Sequence, residues 1–329
     1  MKISAKYIPL MATALVLFSL YLVGCVSFKG FGSLRVVVDL FADNSFLGIA
    51  ALGATFVILS GGIDLSVGSV IAFTSILIAS LVGHGFSPFT AIIISLLAGT
   101  VFGAFMGFLI SIFQMPPFLV TLAGMFLARG LGFVVNPQSL AITHPFFVDK
   151  VTNGLSIPIN DSVSIPFTAT CYVVALIVAI IAAHYSRFGR TIYAIGGDEN
   201  SAALMGLPVQ RTKILVYTLA GLCSALAGVV STFYKQSGDP ASFVGSELDA
   251  IAAVVIGGTL LTGGVGFMAG TAMGVLILGL IQNLINFKGD INSWWTPIIV
   301  GFLIFVFILL QNAVVAISKR FGGKLGGAI

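Results

Sequence analysis

Ser60-Gly61-Gly62-Ile63-Asp64-Leu65-Ser66-Val67-Gly68 interrupts two apolar windows, 43–59 before it and 66–82 after it. Windows of this length, almost free of charge, are what a bilayer crossing requires. Hydrocarbon offers nothing to pair with a free backbone amide, so each window must be helical. The break then sits beside hydrocarbon and carries a carboxylate, which costs about 2.5 to 3.5 kcal/mol at the centre of a membrane helix on insertion scales. Asp64 therefore needs a partner. It can cap the helix beginning at Ser66 or accept from freed backbone N–H groups, and this structural role is favoured over contact with a solute.

Working outward, further apolar windows fall at 8–26, 88–113, 118–135, 166–184, 214–233, 250–263, 266–287 and 293–317. The chain is 58% hydrophobic and 8% charged, with a mean hydropathy of +1.13, whereas soluble domains carry about 25% charged residues. At about 20 residues per crossing, the 329 residues hold roughly ten helices and no sizeable soluble domain. The expectation is one all-α, polytopic membrane domain over 1–329. The first window follows Lys2 and Lys6 but lacks an A-x-A cleavage pattern, so it reads as a retained span.

A cytoplasmic amino terminus puts Lys2, Lys6, Arg187, Arg190, Arg211, Lys213, Lys319, Arg320 and Lys324 inside. Lys29, Arg35, Lys150, Lys235 and Lys288 fall outside, and Arg129 lies within a span. That bias matches the positive-inside rule and makes both termini cytoplasmic. The basic residues form no stripe, which argues against nucleic acid despite the net charge of +4. Cys25, Cys171 and Cys223 lie in or beside apolar windows without metal-ligand spacing, so neither a disulfide framework nor a metal site is expected.

Gly257-Gly258-Thr259-Leu260-Leu261-Thr262-Gly263-Gly264-Val265-Gly266 is a second glycine-rich break. Both breaks follow a span running inward and precede another apolar helix. Two readings stand: a parallel internal repeat with broken helices, or glycine serving close helix packing. Arg129, among Met125, Phe126 and Phe133, must face the bundle interior or snorkel and can pair with a carboxylate or with carbonyls. Asn44, Asn283 and Asn286 offer hydrogen-bonding groups along a pathway. Trp294 and Trp295 read as belt anchors in preference to sugar-stacking platforms. Glu247 and Asp249, with Asp239, make an acidic outer loop that either solvates itself or meets a delivering partner.

Two connections exceed ordinary length. The outer one, 136–165, is proline-rich, too polar to span, and expected to pack over the mouth of the bundle. The cytoplasmic one, 185–212, contains Asp198, which can cap a short helix with Glu199 in its first turn; Gly206 suits the C′ position and Pro208 stops continuation. Two helical turns are marginal alone, so Ala202, Ala203, Leu204 and Met205 are expected to dock into a partner's groove. No G-x-x-x-x-G-K-[ST] occurs, and His84, His144 and His184 form no nucleophilic arrangement.

Three stretches resemble the permease subunits of bacterial ATP-binding-cassette importers for monosaccharides, of the ribose, arabinose and xylose type. They are Val57-Ile58-Leu59-Ser60-Gly61-Gly62-Ile63-Asp64-Leu65-Ser66-Val67-Gly68-Ser69, then Phe188-Gly189-Arg190 through Gly206, and Glu247-Leu248-Asp249-Ala250-Ile251-Ala252-Ala253-Val254-Val255-Ile256-Gly257-Gly258-Thr259. The likeness covers nearly the whole chain. Within that family it is most similar to the galactofuranose branch, at Thr121-Leu122-Ala123-Gly124-Met125-Phe126, at 200–206 and at Ser293-Trp294-Trp295-Thr296.

The resemblance implies a transport subunit of the bacterial inner membrane, without a cofactor or catalysis of its own. It implies a separate cytoplasmic ATPase with two nucleotide-binding halves, a periplasmic sugar-binding protein, and a second permease subunit, either homologous or another copy. The segment from Arg190 through Gly197, Asp198 and Glu199 to Gly206 would be the coupling element. Asn200-Ser201 departs from the acidic residue and alanine usual there, which bears on the ATPase contacts. Another pentose or hexose remains an alternative solute. A self-sufficient ion-coupled transporter or channel is the alternative from another class, but it should bury several ionisable groups, and only Arg129 and Asp64 run deep. A branched-chain amino-acid permease is disfavoured by Gly61 to Ser69.

Overall fold

The computed structural model describes residues 8–151, 154–160, 163–289, 292 and 294–322, with the side chains of residues 8, 150 and 310–322 excepted. Lys2, Lys6, Ser293 and Lys324 lie outside the described residues, as do the side chains of Lys150, Lys319 and Arg320.

The apolar windows fold as helices. In order these are α1 (Ile8–Ser27), α2 (Leu34–Asp43), α3 (Ser45–Leu59), α4 (Val67–Gly83), α5 (Pro88–Ile112), α6 (Pro117–Val135) and α7 (Phe167–His184). Then come α8 (Arg187–Gly197), α9 (Glu199–Leu204), α10 (Val209–Lys235), α11 (Ser246–Ile256), α12 (Met268–Lys288) and α13 (Trp295–Gly322). Among the described residues six helices are long and apolar enough to cross a membrane: α1, α5, α6, α7, α10 and α12. A seventh crossing arises if α2 and α3, bent by 55° at Asn44, are one broken span. Two further apolar stretches, Val67–Gly83 and Trp295–Leu309, are shorter, so length and composition do not by themselves confirm the expected count of ten.

The clearest departure is the window 250–263. Its helix α11 has 11 residues, about 16 Å at 1.5 Å per residue, roughly half a hydrocarbon core. The chain reaches α11 by a non-helical descent beside α4: Gly238 packs on Ser75, and the Phe243 carbonyl and Glu247 carboxylate lie against Gly68. The window looked continuous because hydropathy does not register a break made of glycine and threonine.

The buried centre is α3, in which every residue from Leu47 to Leu59 is buried. α5 and α10 approach through glycine: a Cβ at Gly103 would strike the Tyr217 carbonyl and Gly221, and one at Gly221 would strike Gly99. Small residues at such a seam let backbones close, which is how membrane helices gain packing energy. The outward face of α5 carries exposed Ile93, Leu97, Val101 and Phe105, a surface fit for lipid. From the connection after α6, Ile142, Phe147 and Val151 pack against Ile78, Ala79, Ala91, Val229 and Phe233 at one end of the bundle. In the same connection β1 (Leu140–Ala141) pairs antiparallel with β4 (Ser237–Gly238), and β2 (Ile157–Asn160) pairs with β3 (Val163–Ile165). Phe147 stacks on Phe233 of α10 at 4.7 Å between ring centres.

Candidate coupling and pathway sites

Both glycine breaks close a helix in the same way. At the end of α3, Gly62 N–H donates to Val57 O (3.0 Å) and Gly61 N–H to Ile58 O (2.9 Å), with Gly61 at φ +81°. At the end of α11, Thr259 N–H donates to Val254 O (3.2 Å) and Gly258 N–H to Val255 O (2.9 Å), with Gly258 at φ +87°. Each is the paired closure in which a left-handed residue returns two amides to the last turn, a conformation only glycine adopts without strain. The second break returns to the end of α3, since Gly264 N–H donates to Leu59 O at 3.0 Å.

The segment 185–212 meets that junction. Ser186 caps α8 by accepting from Gly189 N–H at 3.0 Å, and Gly189, Ile192 and Ile195 form its buried face. Sequence reasoning left α8 as loop. Near its end Tyr193 Oη donates to Gly266 O at 2.8 Å, and Gly196 lies so close to Leu59 O and Gly264 N that a Cβ has no room. Gly197, one residue on, faces open space. Asp198 Oδ1 accepts from Ser201 N–H at 2.6 Å and so caps α9; that bond holds its carboxyl below the usual carboxylate range.

Gly206 N–H donates to Ala203 O (2.9 Å) and Leu207 N–H to Ala202 O (3.1 Å), which closes α9. Lys213 Nζ lies 2.6 Å from both Glu199 carboxylate oxygens and ties α9 to α10. Ala202 is buried, Ala203 and Arg190 are exposed, and Leu204 and Met205 are 89% and 69% accessible. α9 thus keeps its small residue inward and turns its two large apolar side chains out.

The deep polar residues are engaged by backbone. Asp64 is buried and its Oδ1 accepts from Ser66 N–H (2.8 Å) and Ser66 Oγ (2.6 Å) at the start of α4. Arg129 donates to Pro240 O (2.6 Å) and Ser242 O (2.5 Å), clamping the non-helical descent. Asn44 sits at the bend between α2 and α3, its amide donating to Leu40 O at 2.8 Å, and Gly279 of α12 makes room for it.

Glu247 and Asp249 were expected on an exposed outer loop. They occupy the first turn of α11, with Glu247 half-buried against Gly68, fifteen residues or about 22 Å along α4 from its far end. Glu247 is recessed because the chain descends beside α4 before α11 begins, while Asp249 stays exposed.

A cleft of about 350 Å³ brings together residues the sequence had kept apart. It is lined by Asp249 of α11, Gln282 of α12, and Trp294, Thr296, Pro297 and Val300 around the start of α13. Thr296 Oγ1 donates to Gln282 Oε1 at 2.9 Å, and Gln282 Nε2 donates to Asn286 Oδ1 at 3.1 Å. The sequence marks Asp249 as a partner contact, Trp294 as a belt anchor or pathway residue and Thr296 only as part of a motif, and does not single out Gln282. Asn283 is half-exposed on α12 and does not line the cleft, nor does the exposed Trp295.

Comparison with known proteins gives a consistent set of relatives. Residues 36–308 match the family model described as branched-chain amino acid transport system / permease component. The chain is similar to the inner membrane ABC transporter permease protein YjfF of Escherichia coli (strain K12), 47% identical over 96% of this chain and 95% of that one. It is 38% identical to the fructose import permease protein FruG of Bifidobacterium longum (strain NCC 2705), over 96% of this chain and 94% of that one. It is 40% identical to the ribose import permease protein RbsC of Bacillus subtilis (strain 168), over 84% of each. No solved structure matches it.

Proposed function

Because this multi-pass membrane chain belongs to the family described as branched-chain amino acid transport system / permease component, we propose that it is the membrane-spanning subunit of an ATP-binding-cassette sugar importer of the bacterial inner membrane. The solute is a monosaccharide, with galactofuranose first. Relatives named as fructose and ribose import permeases support the sugar class, and the resemblance of the motifs at 121–126, 200–206 and 293–296 to the galactofuranose branch supports galactofuranose. The whole of 1–329 acts as one permease domain. Both termini and the segment 185–212 face the cytoplasm, and 136–165 faces the periplasm, where a sugar-binding protein delivers the solute. A second, homologous permease completes the pathway. ATP is hydrolysed by a separate chain.

The observation that carries this reading is α9, with Leu204 and Met205 turned out to solvent on a frame that ends against both glycine breaks. An apolar pair on so short a capped helix suits docking into a groove of the ATPase. Closure of the ATPase on its nucleotide would push α9, and α8 would carry the displacement to the junction of Leu59 and Gly264.

The test reconstitutes the chain with its ATPase, binding protein and partner permease and compares wild type with Leu204→Asp/Met205→Asp. Unpaired carboxylates at an apolar interface weaken it by orders of magnitude, while the spans are untouched. Co-purification of the ATPase and ATP-dependent uptake should fall together. A double variant that still retains the ATPase and transports at the wild-type rate would remove α9 from the coupling role. Uptake that persists without any ATPase but needs an ion gradient would overturn the importer reading. Ribose carried as well as galactofuranose would remove the narrower assignment and leave the sugar class standing.

A further inference from the structure

The cleft between α11, α12 and the start of α13 has a chemistry that the coupling machinery does not use. Its polar lining is a carboxylate (Asp249), a carboxamide (Gln282) and a hydroxyl (Thr296), and among the described residues no Lys or Arg lines it. Thr296 and Gln282 are already joined in a chain that runs on to Asn286. Among the described residues no side chain donates a hydrogen bond to the Asp249 carboxylate. Asp249 is exposed to the cleft, and a carboxylate within a membrane bundle, which would cost about 2.5 to 3.5 kcal/mol against hydrocarbon, faces a water-filled path or a ligand instead. Trp294 is 76% accessible and offers a broad indole face beside these groups, with Pro297 and Val300 as apolar floor. The volume of about 350 Å³ falls within the ~300–1,000 Å³ of small-molecule sites.

Which solute suits this lining follows from charge. A sugar acid would bring its carboxylate toward Asp249 with no cation to offset it. An amino acid would engage Asp249 through its ammonium but leave its own carboxylate without a positive partner. An uncharged polyol has neither defect: its hydroxyls donate to Asp249, and its C–H face lies on the indole. We infer that this cleft is a transient binding station for an uncharged monosaccharide, with Trp294 against the sugar's apolar face and Asp249 accepting from its hydroxyls. The inference rests on the sugar-import reading above and adds a place and a charge rule to it.

Trp294 and Trp295 are the only tryptophans in the chain, so Trp295→Phe with excitation selective for tryptophan over the seven tyrosines leaves an emission that reports on the cleft. The full chain carrying that substitution, in lipid nanodiscs, is titrated with D-galactose, D-ribose, D-galacturonate and L-leucine. The two neutral sugars should give a saturable change in Trp294 emission in the millimolar range, and the two charged solutes none. Asp249→Asn, close in size, and Gln282→Leu should each raise the apparent Kd at least tenfold with thermal unfolding unchanged. ATP-dependent uptake by the assembled importer is measured in parallel, so the two readings fail separately. Sugar uptake with a silent Trp294, or a response to leucine equal to that for sugar, refutes the cleft and leaves the importer reading intact. Absence of both binding and sugar uptake refutes the two together.

Discussion

Gly196→Ala adds one methyl group at the point where α8 meets both glycine breaks, and it should uncouple the protein without dismantling it. The new Cβ would lie within bonding range of the Leu59 carbonyl oxygen and almost as close to Gly264 N. Both are backbone atoms, so no side chain can rotate away. Restoring ordinary contact of ~3.5 Å requires α8 to retreat by about an ångström or more, and the Gly264 N–H to Leu59 O bond of 3.0 Å lies in the path of that shift. Overpacking of this kind costs about 1–3 kcal/mol. Applied as a bias between two arrangements of the junction, the same energy changes their ratio by about 5–150-fold. Gly197→Ala is the matched control, because a Cβ there meets nothing within 4 Å. The assay is uptake into proteoliposomes beside ATPase co-purification. Gly196→Ala should keep the ATPase, since α9's outward face is unchanged, and lose most uptake; Gly197→Ala should keep both. Equal transport by the two variants would show that contact at the junction transmits nothing.

Asp198→Ala removes the acceptor for Ser201 N–H and should speed amide hydrogen exchange across 199–204; unchanged exchange would show that α9 does not depend on its cap. In the native chain the depressed carboxyl of Asp198 makes that stabilisation complete above the ordinary carboxylate pKa and loses it as pH falls through the lower folded value, so exchange normalised for its intrinsic pH dependence should rise only on the acid side. Arg129→Met leaves Pro240 O and Ser242 O without a donor; hydrogen bonds to charged groups are worth about 1.5–3 kcal/mol, so the thermal midpoint in detergent should drop, and less so for Arg129→Lys. A midpoint unmoved by Met would mean the clamp is not structural. Asp64→Asn keeps an acceptor for Ser66 and should transport near the wild-type rate, whereas Asp64→Leu should not; loss of uptake in a folded Asn variant would assign the charge itself to the transport cycle.

Every apolar window read from the sequence holds a helix, because the signal is local composition and the bilayer leaves no other way to satisfy backbone amides. What escaped was set by contacts between distant segments. The shortness of α11 depends on where Gly257 and Gly258 stop it, which hydropathy does not show. α8 carried a readable signal, with Phe188, Ile192 and Ile195 at helical spacing behind Ser186, but Gly189, Gly196 and Gly197 made it look like loop. Gln282 was passed over because nothing local says which side of α12 turns toward α11. Gly196 was invisible for a related reason: it is one of 39 glycines, and its requirement comes from two backbones far away in sequence.

The placement of the deep charges bears on how energy enters. Arg129 Nη1 donates to two carbonyls of the descent before α11, and Asp64 accepts from its own turn. An ion-coupled carrier must load and unload such groups in each cycle. Here each unloading would strand buried backbone partners at about 1–3 kcal/mol apiece and loosen the segments that position α4 and α11. A push delivered through α8, as proposed above, would disturb neither group. It would act where Leu59, Gly196 and Gly264 meet, beside the left-handed glycines Gly61, Gly263 and Gly264, where a small rotation of the backbone would redirect the chain at both breaks.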